Sequence, residues 1–274
     1  MLLHGFNDKQ SWHALCQWLR SPTLGGDMKN LFITSMIICL FACSGNAEFY
    51  EPETKIQEPG KVYAPQGYDS NDNVEIVFEG KYPSACYKAG LTSHVVDQEE
   101  KKIYITDTTH YFSEAFCAAI IVPYQKDVQA GILSAGKYQV FFRHPAGSYV
   151  EEAHFKVTPA KSENPDEYLY APVQQSRFFP KTDKKPAILQ IVGSFTNSCM
   201  KLKEIKVIPY EGHNVIDILP IAHFEMSENS ECKEVPTGIS FEKDIEMEGL
   251  KPGRVMFHIR ALNGQSVNQL AIIK

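Results

Sequence analysis

The chain has 274 residues, 43% of them hydrophobic and 22% charged, which is enough apolar content for a packed core and excludes a globally disordered polymer. Its formal net charge of −6 lacks the basic excess of a nucleic-acid binder. The length allows one large domain or two ordinary ones.

In chain order, residues 1–27 come first and hold both tryptophans, Trp12 and Trp18, and Cys16. They precede a segment of a kind that starts near an initiator methionine, so they read as an extension upstream of a true start at Met28. Lys29 supplies a positive charge, Leu31–Ala42 is an uncharged, mostly apolar run, and Cys43 follows. A membrane span needs about 20 such residues, so this shorter run fits the apolar stretch of a signal peptide over residues 28–42. Its ending, Leu40-Phe41-Ala42-Cys43, resembles the lipobox of bacterial lipoproteins. That resemblance implies cleavage before Cys43, a lipid on its thiol, and anchorage in the cell envelope. Ser44 in place of an aspartate after the cysteine implies the outer membrane.

Residues 43–72, with Pro52, Pro59 and Pro65 and few apolar side chains, read as a tether. Beyond it the sequence repeats itself. Gly80-Lys81-Tyr82 and Cys86 line up with Gly193-Ser194-Phe195 and Cys199. Tyr124-Gln125-Lys126-Asp127-Val128 lines up with Phe241-Glu242-Lys243-Asp244-Ile245, and Leu133, Gly136 and Arg143 with Leu250, Gly253 and Arg260. Two copies of one unit are expected, residues 73–158 and 185–274. Between them, residues 159–184 carry Pro159, Pro165, Pro172 and Pro180 and read as a linker. Its aromatics Tyr168, Tyr170, Phe178 and Phe179 suit packing on a domain better than a free spacer.

With Cys16 and Cys39 set aside and Cys43 assigned to lipid, Cys86, Cys117, Cys199 and Cys232 remain. An even count in an exported chain suggests disulfides, and the repeat selects one per copy, Cys86–Cys117 and Cys199–Cys232. Closing a loop of about 30 residues stabilises a fold by roughly 3–4 kcal/mol in the chain-entropy account.

Strand-like runs recur at short spacing: Val74–Phe78, Lys102–Thr106, Ala118–Val122, Gly136–Arg143 and Ala153–Val157, then Ile188–Val192, Ile205–Pro209, Val215–Leu219, Arg254–Arg260 and Gln269–Ile273. No long amphipathic helical window interrupts them. The predicted fold class is all-β, with two tandem β-sandwiches arising from an internal duplication. The arrangement resembles the immunoglobulin-like modules of bacterial surface lipoproteins, without the core tryptophan of true immunoglobulin domains. In the repeated segment, Tyr124, Val128, Phe241 and Ile245 are expected to anchor the cores, and the Lys126-Asp127 and Lys243-Asp244 pairs to face solvent.

Catalytic motifs are sparse. Gly131–Lys137 imitates a phosphate-binding loop, but Tyr138 stands where a magnesium-binding hydroxyl belongs and a strand follows instead of a helix. The histidines show no paired zinc spacing. The acidic run Glu225–Glu248 lacks the pattern of a calcium loop and reads as a solvated face. No cofactor, metal site or catalytic residue is expected. The functional expectation is a lipid-anchored, non-enzymatic binding, scaffolding or assembly-support module of the bacterial envelope. It would meet the membrane through Cys43, take a protein or polysaccharide ligand, and bind no nucleic acid. The alternatives are an envelope carbohydrate-active hydrolase, which needs two positioned carboxylates, and a polysaccharide-binding lipoprotein.

Overall fold

The structure is a computed structural model that describes residues 51–163, 166–226 and 231–274. The signal segment, Cys43 and residues 1–27 therefore lie outside the described residues. Within them the chain is all-β. The strands are β1 (Glu53–Ile56), β2 (Lys61–Tyr63), β3 (Asn73–Tyr82), β4 (Tyr87–Asp97), β5 (Lys102–Tyr111), β6 (Val122–Ile132), β7 (Gly136–Arg143), β8 (Tyr149–Val157), β9 (Val173–Phe179), β10 (Ala187–Asn197), β11 (Met200–Pro209), β12 (Val215–Phe224), β13 (Glu234–Met247), β14 (Gly253–Ala261) and β15 (Gln265–Ile273).

These strands make two sandwiches with the same strand order. In the first, sheet β2-β3-β6 packs on a sheet in which β4 pairs β5, β5 pairs β7 and β7 pairs β8. In the second, β9-β10-β13 packs on β11-β12-β14-β15. Each sandwich contains one parallel pair, β5 with β7 and β12 with β14. The chain leaves one sheet, crosses the other, and returns beside the strand it left. That pair also limits the immunoglobulin resemblance to the two-sheet architecture, because immunoglobulin sheets are antiparallel.

Period-two alternation builds both cores. Val74, Ile76 and Phe78 of β3 meet Ile103, Ile105, Tyr138, Val140 and Phe142 across the first sandwich. Leu189 and Ile191 of β10 meet Ile218, Phe257 and Ile259 across the second.

The segments read as tether and linker belong to the sandwiches. β1 pairs β5, with Glu53 opposite Tyr111, and β2 pairs β3, with Tyr63 opposite Val77. In the linker, Tyr170 bridges to Ile221 of β12 and β9 pairs β10 along its length. Each sandwich thus begins with a segment that touches one sheet and then joins the other. Proline density conceals these strands: Pro59 and Pro65 leave β1 and β2 too short to show alternation, and β9, bounded by Pro172 and Pro180, has a polar middle that breaks it. The run Ala118–Val122 is corrected in the opposite sense. Residues 118–121 form an exposed connection and β6 starts at Val122.

The disulfides join Cys86 to Cys117 and Cys199 to Cys232, each with Cα atoms 5.3 Å apart. The repeated aromatic has a local reason. Tyr124 lies opposite Gly80 and Phe241 opposite Gly193, and each ring covers its glycine so closely that a Cβ there would overlap the Tyr124 hydroxyl or the Phe241 ring. Lys126 is not in solvent as expected. Residues two apart in a strand share a face, so it lies with Tyr124 and Val128 and pairs with Asp107 at 2.6 Å. Lys243, Asp127 and Asp244 are exposed.

Candidate functional site: a polar junction between the sandwiches

β3 and β14 are buried on both faces, as is most of β12. From β3, Glu75, Val77 and Glu79 point away from the first core. From β14, Arg254, Met256, His258 and Arg260 point away from the second. These side chains meet in four layers. Glu79 pairs with Arg254 at 2.5 Å and accepts a hydrogen bond from the Tyr63 hydroxyl at 2.7 Å. Val77 packs with Met256, Tyr63 and Val215 in an apolar layer. Glu75 faces His258, and Arg260 reaches Asp72 at 3.0 Å. Opposite charges thus flank an apolar contact, which fixes the register of one sandwich on the other.

Around Glu75 the hydrogen bonds close into a ring. The Glu75 N–H donates to the Tyr68 hydroxyl at 3.2 Å, and that hydroxyl lies 3.3 Å from His258 Nε2. His258 Nδ1 lies 2.8 Å from Asn268 Oδ1, and Asn268 Nδ2 donates to Glu75 Oε2 at 3.0 Å. Ser266 donates to the same carboxylate oxygen, and Gln129 donates to the other at 3.0 Å. With the Asn268 oxygen turned to it, Nδ1 carries the imidazole proton and Nε2 accepts from Tyr68. His258 is thus held neutral, and its burial depresses its pKa below the ordinary histidine value.

The carboxylates respond to burial as well. It raises the pKa of Glu75 and of Asp217, and it pushes Asp166 up to about 6, helped by neighbouring Asp72. Arg260 gathers several of these groups. It bonds Asp72, donates to the Gly67 carbonyl at 3.2 Å, lies 3.7 Å from Asp166 and stacks 4.7 Å from the Tyr68 ring centre. A cavity of about 20 Å³ beside Glu75, His258 and Arg260 has room for about one water molecule. Asp217 accepts from the Tyr210 hydroxyl at 3.1 Å and borders a more open cleft with Tyr168, Lys206 and Arg260.

Chemically, this arrangement commits its acids, bases and cations to one another across the junction. Removing one member of such a buried set leaves an uncompensated charge, at a cost of about 3–5 kcal/mol. The alternation of His258 and Arg260 on one strand is visible in the sequence. Their partners are missed there, because Glu75 and Glu79 belong to a strand that reads as single-faced. A signal does exist: Val74-Glu75-Ile76-Val77-Phe78-Glu79 puts acids on the second face of a core strand, and Arg254, His258 and Arg260 put bases on the second face of another.

The remaining candidates from the sequence fall as follows. Cys43 lies outside the described residues. The described members of the acidic run are exposed, and Glu242 and Asp244 accept from Gln190 at 2.8 and 2.9 Å. Gly131–Lys137 turns from β6 into β7. Among the described residues, no group of three or more His, Cys, Asp or Glu is placed to hold a metal ion.

A family model described as the ORF11 beta-sandwich domain matches residues 76–155, a stretch of the first sandwich from β3 to β8. No curated protein and no solved structure matches the chain.

Proposed function

We propose that this chain is a lipid-anchored, non-enzymatic module of a bacterial envelope, two duplicated sandwiches that present a binding or scaffolding surface. The observation that carries this reading is the junction. Its acids and bases hold one sandwich against the other, which favours a body that keeps a fixed shape while its outer faces meet partners. The signal-like segment ending in Cys43 and the two disulfides support an exported, anchored protein. The matching strand orders, the shared disulfide positions and the glycine-aromatic pairs support duplication. The placement is at the outer membrane, with a protein or polysaccharide ligand.

Intact mass and membrane fractionation in a bacterial host test the anchor. The expected product begins at Cys43, carries lipid and stays with the membrane, and Cys43→Ser releases it. An unmodified chain that retains residues before Cys43 overturns the reading. The hydrolase alternative draws on the raised pKa values of Asp166 and Asp217, which line two separate hollows that share Arg260. Glycan cleavage by the purified protein that is lost in Asp217→Asn would establish it in place of the scaffold.

A further inference from the structure

We propose that the loop closed by the Cys86–Cys117 disulfide is a second membrane contact, docking the first sandwich on the surface of the bilayer that holds the Cys43 lipid; this rests on the lipoprotein reading above. The loop joins β5 to β6. From Ala115 to Val122 it reads Ala-Phe-Cys-Ala-Ala-Ile-Ile-Val, with no charged side chain. Phe116 is fully exposed at 107%, Ile120 at 58% and Ile121 at 66%. Single exposed apolar residues are ordinary, whereas a cluster on one loop marks a surface that something covers.

The loop is held outward by its own bonds. Besides the disulfide, the Ala85 N–H donates to the Ala118 carbonyl, and the Phe112 N–H to the Cys86 carbonyl, each at 3.1 Å. Neither the fold nor the bridge demands this composition. The matching loop of the second sandwich, Glu225–Lys233, carries Glu225, Glu228, Glu231 and Lys233, with Met226 its only large apolar side chain.

The route of the chain identifies the occupant. β1 runs antiparallel to β5 with Glu53 opposite Tyr111, so the chain enters the first sandwich at the root of this loop. Glu51 borders a hollow with Phe112, Ser113, Glu114 and Ala115. The residues from Cys43 to Glu51 can reach at most about 29 Å, so a lipid on Cys43 keeps this end near the headgroups. At the loop's base, exposed Lys81 and Lys88 balance Glu51 and Glu114. Attraction to anionic lipid is therefore not the driving force, and burial of the apolar tip in the bilayer interface is.

Phe116→Trp supplies the readout, because both native tryptophans, Trp12 and Trp18, lie upstream of Cys43. The full chain carrying F116W is purified from a bacterial host, the mass at Cys43 recorded, and the protein mixed with phosphatidylethanolamine–phosphatidylglycerol vesicles containing doxyl-lipid quencher. The expected result is blue-shifted, quenched emission. Adding I120S and I121S should restore water-exposed emission while the lipid still holds the protein on vesicles. In a chain beginning at Ser44, which has neither the Cys43 lipid nor the apolar run before it, the same two changes should weaken vesicle partitioning at least about tenfold. Unquenched, water-exposed emission in a protein carrying the Cys43 lipid overturns the inference. So does a blue shift that grows with protein concentration without vesicles, which would make a second copy the occupant. If Cys43 carries no lipid, the anchor reading fails separately, and F116W in the chain beginning at Ser44, which lacks both native tryptophans, still decides the loop by its quenching on added vesicles or the absence of it.

Discussion

At the disulfide end of the first sandwich, between its sheets, Asp107 pairs with Lys126 at 2.6 Å and accepts from the Thr92 hydroxyl at the same distance, close to Tyr82 and Tyr124. At the matching end of the second sandwich, Pro220 stands in place of Asp107, Ala222 of Thr109, Phe195 of Tyr82 and Phe241 of Tyr124. There Ala171, Phe195 and Ala222 form an apolar cluster with Phe241, and Lys243 turns to solvent. One architecture thus accepts either an ion pair or an apolar cluster at the same interior position. A buried ion pair is roughly replaceable by well-packed apolar groups of similar volume, and what the fold cannot tolerate is half of it.

The largest test of that comparison is Lys126→Ala, which leaves the Asp107 carboxylate buried without its cation. It is expected to cost about 3–5 kcal/mol, against about 0.5 kcal/mol or less for Lys243→Ala at an exposed site. Urea melts of the two variants compare them directly. A double Asp107→Leu/Lys126→Met variant should recover most of the loss, and equal midpoints for the two alanine variants would erase the distinction.

A second test looks for what the sandwiches share. Gly80→Ala and Gly193→Ala each push a methyl into the aromatic ring opposite, and both should destabilise by about 1–3 kcal/mol, as overpacking does. If only one loses stability, the repeated glycine-aromatic pair does not do the same job in both halves.

The smallest effect belongs to the junction and its pH dependence. His258 has a folded pKa below its unfolded value, so its contribution is full above about pH 6.5 and is lost as the pH falls below that. Asp166, at about 6, and Glu75 and Asp217, also raised, act in the opposite sense, taking up protons in the folded state before the unfolded one does. Replacing His258 by Gln should therefore remove an acid-side loss of at most about 1.4 kcal/mol per pH unit. Melts at pH 7.5 and 5.5 should show the variant losing less on acidification than the parent; equal losses would mean that His258 does not carry this dependence.

The comparison also explains what could be read in advance. The all-β class, the tandem sandwiches and the cysteine partners are legible because each leaves a local mark: alternation in Tyr138, Val140 and Phe142, or a cysteine at the same place in each sandwich. Lys126 is misplaced by sequence reasoning because an apolar neighbour at either side of it, Tyr124 and Val128, suggests that the polar residues between them face out together, when Gln125 and Asp127 do and Lys126 does not. The junction leaves only its acids and bases on second strand faces as a mark, and their pairing is hidden for a deeper reason. Which sheet face meets another domain is decided by residues nearly two hundred positions apart, and nothing in Glu75 alone distinguishes a solvated acid from one awaiting His258 and Asn268. β1 and β2, bounded by prolines, are only four and three residues long, too short for periodicity, and the seven residues of β9, Val-Gln-Gln-Ser-Arg-Phe-Phe, show no apolar alternation.

The junction has a direction. The first sandwich contributes its β3 face and the second its β14 face, so two similar bodies meet through unlike surfaces. Head-to-tail contact of this kind, repeated, builds an open filament. The two faces left over differ from the pair that meets. The unused β7 face of the first sandwich offers Lys137, Gln139, Phe141 and exposed Arg143, and the unused β10 face of the second offers Ile188, Gln190 and Val192. The β7 face keeps bases at Lys137 and Arg143 but has Phe141 where His258 stands, and the β10 face has no acid, so two of the four sheets are left without the acid-base match that joins β3 to β14.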